Sequence, residues 1–223
     1  MHAAAHTASH DHAGAHAHSE SFIRKYIFST DHKMIAKQFL VTAIVFLFIG
    51  GAFALFIRWQ LAYPGQPIPL IGKLLPASWV NADGAVTAEL YAPLLTMHGT
   101  IMIFAVIIPL LVGVFGNFAI PLMIGADDMA IPFLNMVSFW LYPLSGLVMM
   151  GGFFMEGGMA AAGWTGYPPL SAIASTGQTL WIVGLFLAGF SSILGGVNYI
   201  TTVLNMRAPG LGMFQLPMTV WAV

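Results

Sequence analysis

Apolar positions in this chain come in long unbroken runs rather than in the short periods of surface helices or strands. Gln38 to Ile57, Leu90 to Ala126, Met129 to Met155 and Gly157 to Met206 each pass without an Asp, Glu, Lys or Arg. The first part of the last run is rich in Gly, Pro, Ser and Thr and reads as a loop. About 20 apolar residues carry one helix across a bilayer. The runs therefore predict spans near 36–58, 93–124, 132–155 and 179–205, with a fifth starting near Phe214. Pro109 falls inside the second span, removes one backbone donor and predicts a kink there. The 59–92 segment is too long for a bare turn and reads as a covering or partner-docking loop.

Composition sharpens this picture. The 223 residues are 58% hydrophobic and 7% charged, with a mean hydropathy of +0.84. An ordinary soluble domain carries about 25% charged residues, so that class is excluded. A formal net charge of -1 supplies no basic face for nucleic acid. The absence of cysteine excludes disulfides, Cys-ligated metals and a thiol nucleophile. The fold expected is all-α, a polytopic transmembrane helix bundle.

Residues 1–22 form a separate unit. His2, His6, His10, His12, His16 and His18 sit among Ala, Ser, Thr and Gly with no apolar period, so a disordered, solvated tail is expected. Weak metal chelation is the alternative reading of these histidines. No apolar h-region is present, so the stretch does not read as a secretory signal. Residues 23–223 then form the membrane domain. Placing the N-terminus inside puts Arg24, Lys25, Lys33, Lys37 and Arg207 inside, and only Arg58 and Lys73 outside.

Polar groups within lipid are costly and mark candidate sites. His98, in the outer half of the second span, either bonds a neighbouring hydroxyl or carbonyl or serves as an axial ligand to a haem iron. Gly99 beside it would let a flat macrocycle approach the helix. Arg58, ending the first span, is either a snorkelling interface cation or a partner for a polar group on the porphyrin. Tyr91 lies one to two turns before His98, within reach of a propionate, and Trp164 is an outer-level aromatic. A second set lies on the inner side: Asn117, Asp127, Asp128, Asn135, Ser138, Ser191, Ser192 and Asn198. These can line a water-filled track with Asp128 at its mouth. Small-residue helix packing and a solvated loop carboxylate are the plainer readings.

The strings FSTDHKMI, LFIRWQLAYPG, LTMHGTIMIF, GNFAIPLMIGADDMAIPFLN, SFWL, GWTGYPPL and GFSSILGGVNYITTVLNMRAPG resemble, in family order, subunit I of the haem–copper terminal oxidases of the cytochrome c oxidase type. The resemblance implies that His98 ligates low-spin haem A and that Arg58 bonds its formyl group, with Tyr91 and Trp164 near the propionates. It implies a proton-uptake pathway starting at Asp128, with Asn117 and Asn135 just above and Ser138, Ser191, Ser192 and Asn198 lining its upper part. It implies a twelve-helix fold, of which this chain holds four spans and the start of a fifth. Haem a3 and copper are then expected only in the C-terminal part, and this N-terminal fragment alone is expected to be inactive. Implied partners are oxidase subunits II and III, cytochrome c as electron donor, and the lipid bilayer; the His-rich tail and the long 59–92 loop point to a bacterial inner (plasma) membrane, and the Lys and Arg bias to a cytoplasmic N-terminus.

Several positions depart from the family pattern. Gln60 replaces a glutamate that helps hold a peripheral ion, Phe39 a tyrosine, Phe133 an arginine and Phe186 a histidine, and Asp127 stands where proline is usual. Two rival functions stay open: a quinol-oxidising member of the same family, and a cofactor-free proton or ion transporter that uses the Asp128 track alone.

Overall fold

The computed structural model describes residues 21–76 and 78–223; the expectation for the histidine-rich tail falls almost wholly outside them. The described residues are helical, with two isolated β-bridges and no β-strand. Four helices are long and apolar enough to cross a membrane: α1 (His32–Ala62), α2 (Ala88–Ile124), α3 (Pro132–Phe154) and α4 (Thr176–Asn205). A short α5 (Met218–Ala222) follows. The first, second and fourth spans start three to five residues before their expected limits, the first also ends four residues later, and the third matches within one residue. Lys33, Lys37 and Arg58 continue α1 as helix, because charge at a span end limits burial in hydrocarbon and not backbone geometry.

Local chemistry sets the ends. Asp31 caps α1, its carboxylate accepting from Met34 N–H at 3.0 Å. Gly125, at φ 74°, closes α2 in the left-handed conformation that a side chain disfavours. Pro132 opens α3, where its missing N–H costs nothing. Arg207 terminates α4 by donating to Val203 O at 2.6 Å and to Leu211 O at 3.2 Å.

The expected kink at Pro109 takes another form. α2 leaves α-helical register already at Ile101 and runs as wide π turns over Ile101–Ile107 and Pro109–Gly116 before returning to α-helix at Asn117. Pro109 sits at the start of the second wide segment, so its missing donor falls at a register change. Two carbonyls of these segments gain phenol donors from neighbouring helices: Tyr142 OH to Ala105 O at 2.6 Å, and Tyr199 OH to Val112 O at 2.8 Å. In lipid no water would meet such carbonyls.

Chain order gives an up-and-down bundle. α1 packs along α2 and α3 along α4, and the pairs join through α1–α3 and through α4 crossing α2. Glycines admit large side chains at the crossings. A Cβ on Gly146 would overlap the Phe46 ring, one on Gly184 the Met149 side chain, and one on Gly113 the Phe39 ring. This is association through small residues, the route open where the solvent is as apolar as the side chains.

The connection between α1 and α2 spans 63–87 and is folded. Val80 bridges Val86, and Ile68 N–H donates to Gly84 O at 3.0 Å. Gly72 lies so close that any Cβ would meet Gly84 O, so this turn needs a glycine.

Candidate functional site

The antiparallel order sorts the polar residues to two levels. His98 belongs to the upper level, toward the end of the bundle that carries Arg58. It is half-buried on α2, and its Nδ1 lies 2.9 Å from Gly50 O on α1. A carbonyl oxygen only accepts, so Nδ1 carries the proton and Nε2 keeps its lone pair. Gly50 allows this contact. A Cβ there would meet Met102 Sδ at 3.0 Å and Ile101 Cγ2 at 3.1 Å, tighter than ordinary contact, so α1 and α2 are closely packed at this point. The plain alternative for His98, a bond to a neighbouring carbonyl, is therefore present, and it involves one ring nitrogen only.

Tyr91 lies seven residues before His98, hence on the same face of α2 about two turns away. Arg58 is exposed at the top of α1, on a groove of about 410 Å³ shared with Leu55, Trp59 and Ile68. Trp164 packs against Gly99, the residue that follows His98. The space left by Gly99 is filled by the Trp164 indole, which a Cβ would meet at 3.2 Å, so the small residue admits an aromatic of this chain. Gly163 N–H donates to Thr96 Oγ1 at 3.0 Å and ties the tryptophan loop to α2.

The lower level gathers around Asp128. Its Oδ1 accepts from Met129 N–H at 2.7 Å and from His32 N–H at 3.3 Å, so it closes the start of α1. Asp127 beside it is exposed. One layer in, Asn135 Nδ2 donates to Asn117 Oδ1 at 2.6 Å, and Asn117 Nδ2 donates to Gly113 O at 2.7 Å and Tyr199 OH at 2.8 Å. Asn135 Oδ1 is buried with no protein partner. Leaving such an acceptor unpaired costs about 1–3 kcal/mol.

Above the asparagines lies a cavity of about 50 Å³ with Ser138, Ser191, Ser192, Tyr142 and Tyr199 in its wall. Ser191 Oγ donates to Ser138 O at 2.6 Å, while Ser192 is on an exposed side of α4. A cavity of this size exceeds the 10–15 Å³ needed for one water. Asn198 is placed differently. Its amide is spent on the backbone of Ile131, accepting from the N–H at 2.9 Å and donating to the C=O at 3.2 Å. It clamps the turn before α3.

Two residues join this level without having been singled out in the sequence. His32 is 1% exposed, and its Nδ1 lies 2.7 Å from Asn117 O, so it too donates from Nδ1. Tyr199 links Asn117 to the α2 backbone. His32 precedes the first uncharged run, and only its bond to the far end of α2 reveals its burial. Tyr199 follows Asn198 in a mainly apolar helix, where nothing in the spacing sets it apart. Among the described residues, no cluster of three or more His, Cys, Asp or Glu could hold a metal ion through protein ligands alone.

Residues 34–223 match the family described as Cytochrome C and Quinol oxidase polypeptide I. Cytochrome c oxidase subunit 1 of Thermostichus vulcanus is 44% identical over 200 residues, covering 89% of this chain and 33% of that protein. The corresponding subunit of Synechocystis sp. is 43% identical over 199 residues, covering 89% and 32%. A probable cytochrome c oxidase subunit 1-alpha of Streptomyces avermitilis is 44% identical over 202 residues, again covering 89% and 32%. The chain thus spans about a third of the length of the curated relatives it matches. With four apolar spans in one bundle and a family match running from the first turn of α1 through α5, the chain is an integral membrane protein and belongs to the Cytochrome C and Quinol oxidase polypeptide I family.

Proposed function

We propose that the complete protein is the catalytic subunit of a respiratory terminal oxidase. It reduces O2 to water with electrons from cytochrome c and couples this to proton translocation, working with oxidase subunits II and III. It sits in a bacterial plasma membrane with its N-terminus cytoplasmic, the orientation that places five of seven Lys and Arg inside. The relatives are cytochrome c oxidase subunits by name, which favours cytochrome c over a quinol as donor.

The single observation that carries this reading is the bond from His98 to Gly50 O. It fixes the tautomer, as a ligating histidine requires, and leaves Nε2 for the iron of a low-spin haem A. The surroundings fit such a group: Tyr91 shares the face of His98, and Arg58 stands at the rim as the cation for the formyl substituent. Haem supplies one-electron transfer when bound. Haem a3 and copper are assigned to the remainder of the full-length protein.

This chain's own residues then take up protons. Asp128 gathers them at the mouth, the Asn117–Asn135 pair narrows the way, and the serine-walled cavity holds water between this pair and mid-membrane. The unpaired Asn135 Oδ1 supports a water at this step, since one water would satisfy it. Asn198 contributes by holding the Ile131 turn in place.

The test is a reduced-minus-oxidised optical spectrum of the full-length complex, wild type against His98→Ala. Loss of the low-spin haem A band in an assembled complex is expected. An unchanged band, or no haem in the wild type, would sink the assignment and favour a cofactor-free transporter. In a second experiment, Asp128→Asn keeps an oxygen for the Met129 and His32 amides but removes the charge. Assembly should be normal while proton uptake, followed by a pH dye in vesicles, falls at least tenfold. A variant that takes up protons at the wild-type rate would remove Asp128 from the pathway.

A further inference from the structure

Arg24, Lys25, Lys33 and Lys37 have no role in the site described above. They fall on one end of the bundle, in a stretch from Ser21 to Thr42 whose one carboxylate is Asp31. Asp31 is committed to Met34 N–H, and the nearby Asp128 to the amides of His32 and Met129. Lys33 and Lys37 are both exposed at i and i+4 in the first turns of α1, so they stand on one face. Like charges at this spacing repel, and cations near a helix N-terminus oppose its dipole. An anion on this face would remove both penalties.

The segment before α1 shapes a place for such an anion's apolar part. A helical turn at Ile23–Ile27 folds back over α1 and α3. It is strapped by Gln38 Nε2, which donates to Tyr26 O and Ile27 O at 2.8 Å each, and by Trp140 Nε1, which donates to Ile27 O at 3.2 Å. Between this segment and the helices runs an open groove of about 350 Å³, walled by Ile27, Met34, Val41, Phe139 and Trp140, with Lys37 in its lining. Phe22, Tyr26 and Phe28 are exposed on the same segment, and Lys25 Nζ lies 5.3 Å from the Tyr26 ring centre. Aromatic rings and lysines together are the pattern of a headgroup-level surface. The groove follows Met34 to Thr42, in the first three turns of a membrane span.

The geometry points to an anionic phospholipid as the occupant, its phosphate on Lys33 and Lys37 and one acyl chain in the groove under the 21–28 segment. Charge complementarity selects it: a neutral lipid would fill the apolar wall and leave the four cations as they are. The inference rests on the membrane-spanning fold and not on the oxidase reading.

The test uses the full-length complex, purified in detergent and incubated with dioleoyl phosphatidylglycerol or dioleoyl phosphatidylcholine, with retained lipid counted by native mass spectrometry. The wild type should retain phosphatidylglycerol in preference to phosphatidylcholine, and added salt should weaken this. The double variant Lys33→Gln/Lys37→Gln should bind phosphatidylglycerol about thirtyfold more weakly, the loss of two lysine contacts with an anionic headgroup. Lys33→Arg/Lys37→Arg should restore binding, and Lys73→Gln, in the α1–α2 connection at the opposite end of the bundle, should change nothing. Equal retention of both lipids by the wild type, unchanged binding in the glutamine variant, or no lipid retained because another subunit covers the face would each overturn the proposal.

Discussion

At the scale of single residues, most of the polar inventory serves geometry before it serves chemistry. Gly50 is the clearest case, since its missing side chain brings a mid-helix carbonyl within reach of His98. Gly50→Ala is expected to be partly absorbed, because the first atoms it meets belong to the flexible Met102 side chain. Gly50→Val cannot be absorbed in this way. Overpacking of this kind costs about 1–3 kcal/mol, and a thermal melt of the purified complex should fall accordingly; under the proposed function the low-spin haem band should shift as well. A Gly50→Val complex with wild-type melting and spectrum would show that the two helices are not held at this point. Asn198 teaches a related lesson. Its residue type and depth read as a water-holding amide, yet both of its polar atoms are used by Ile131. Sequence shows that a polar group is in the membrane, but which partner it finds depends on a turn 67 residues away.

Elements were legible where hydrophobicity alone decides them. The four uncharged runs became four spans because a stretch that apolar has no stable place in water. Their ends were less legible, as was the interior of α2. Pro109 announces a break, but the wide turns begin at Ile101, and they persist because Tyr142 and Tyr199 on other helices donate to carbonyls inside them. No pattern within α2 encodes donors that arrive from α3 and α4. The aromatic–glycine crossings are equally non-local. Gly146 reads as an ordinary small residue of a span, but it is the socket for Phe46. Gly146→Leu should therefore separate α1 from α3, costing about 1–3 kcal/mol as overpacking does. The combination with Phe46→Ala should recover part of that loss, because the two changes share one space. Additive melting temperatures in the double variant would contradict the socket.

At the scale of the whole molecule, alternating helix direction does the sorting. Residues far apart in the chain, Asp128, Asn117, Asn135 and His32, meet at one end because every second span returns there. Arg58 and the tryptophan loop face the other way for the same reason. This much followed from span order and the Lys and Arg bias. The bonding within each level did not, and neither did the groove beneath residues 21–28, which exists only because Gln38 and Trp140 hold that segment down.

The bond between His98 and Gly50 also has a place in time. Its two partners lie on the first two spans, so a nascent chain can form it once α1 and α2 have entered the bilayer as a hairpin, before α3 and α4 are made. The imidazole is then set in its tautomer at the earliest stage of synthesis, and under the proposed function a haem arriving during translation would meet a prepared nitrogen rather than wait for a finished protein.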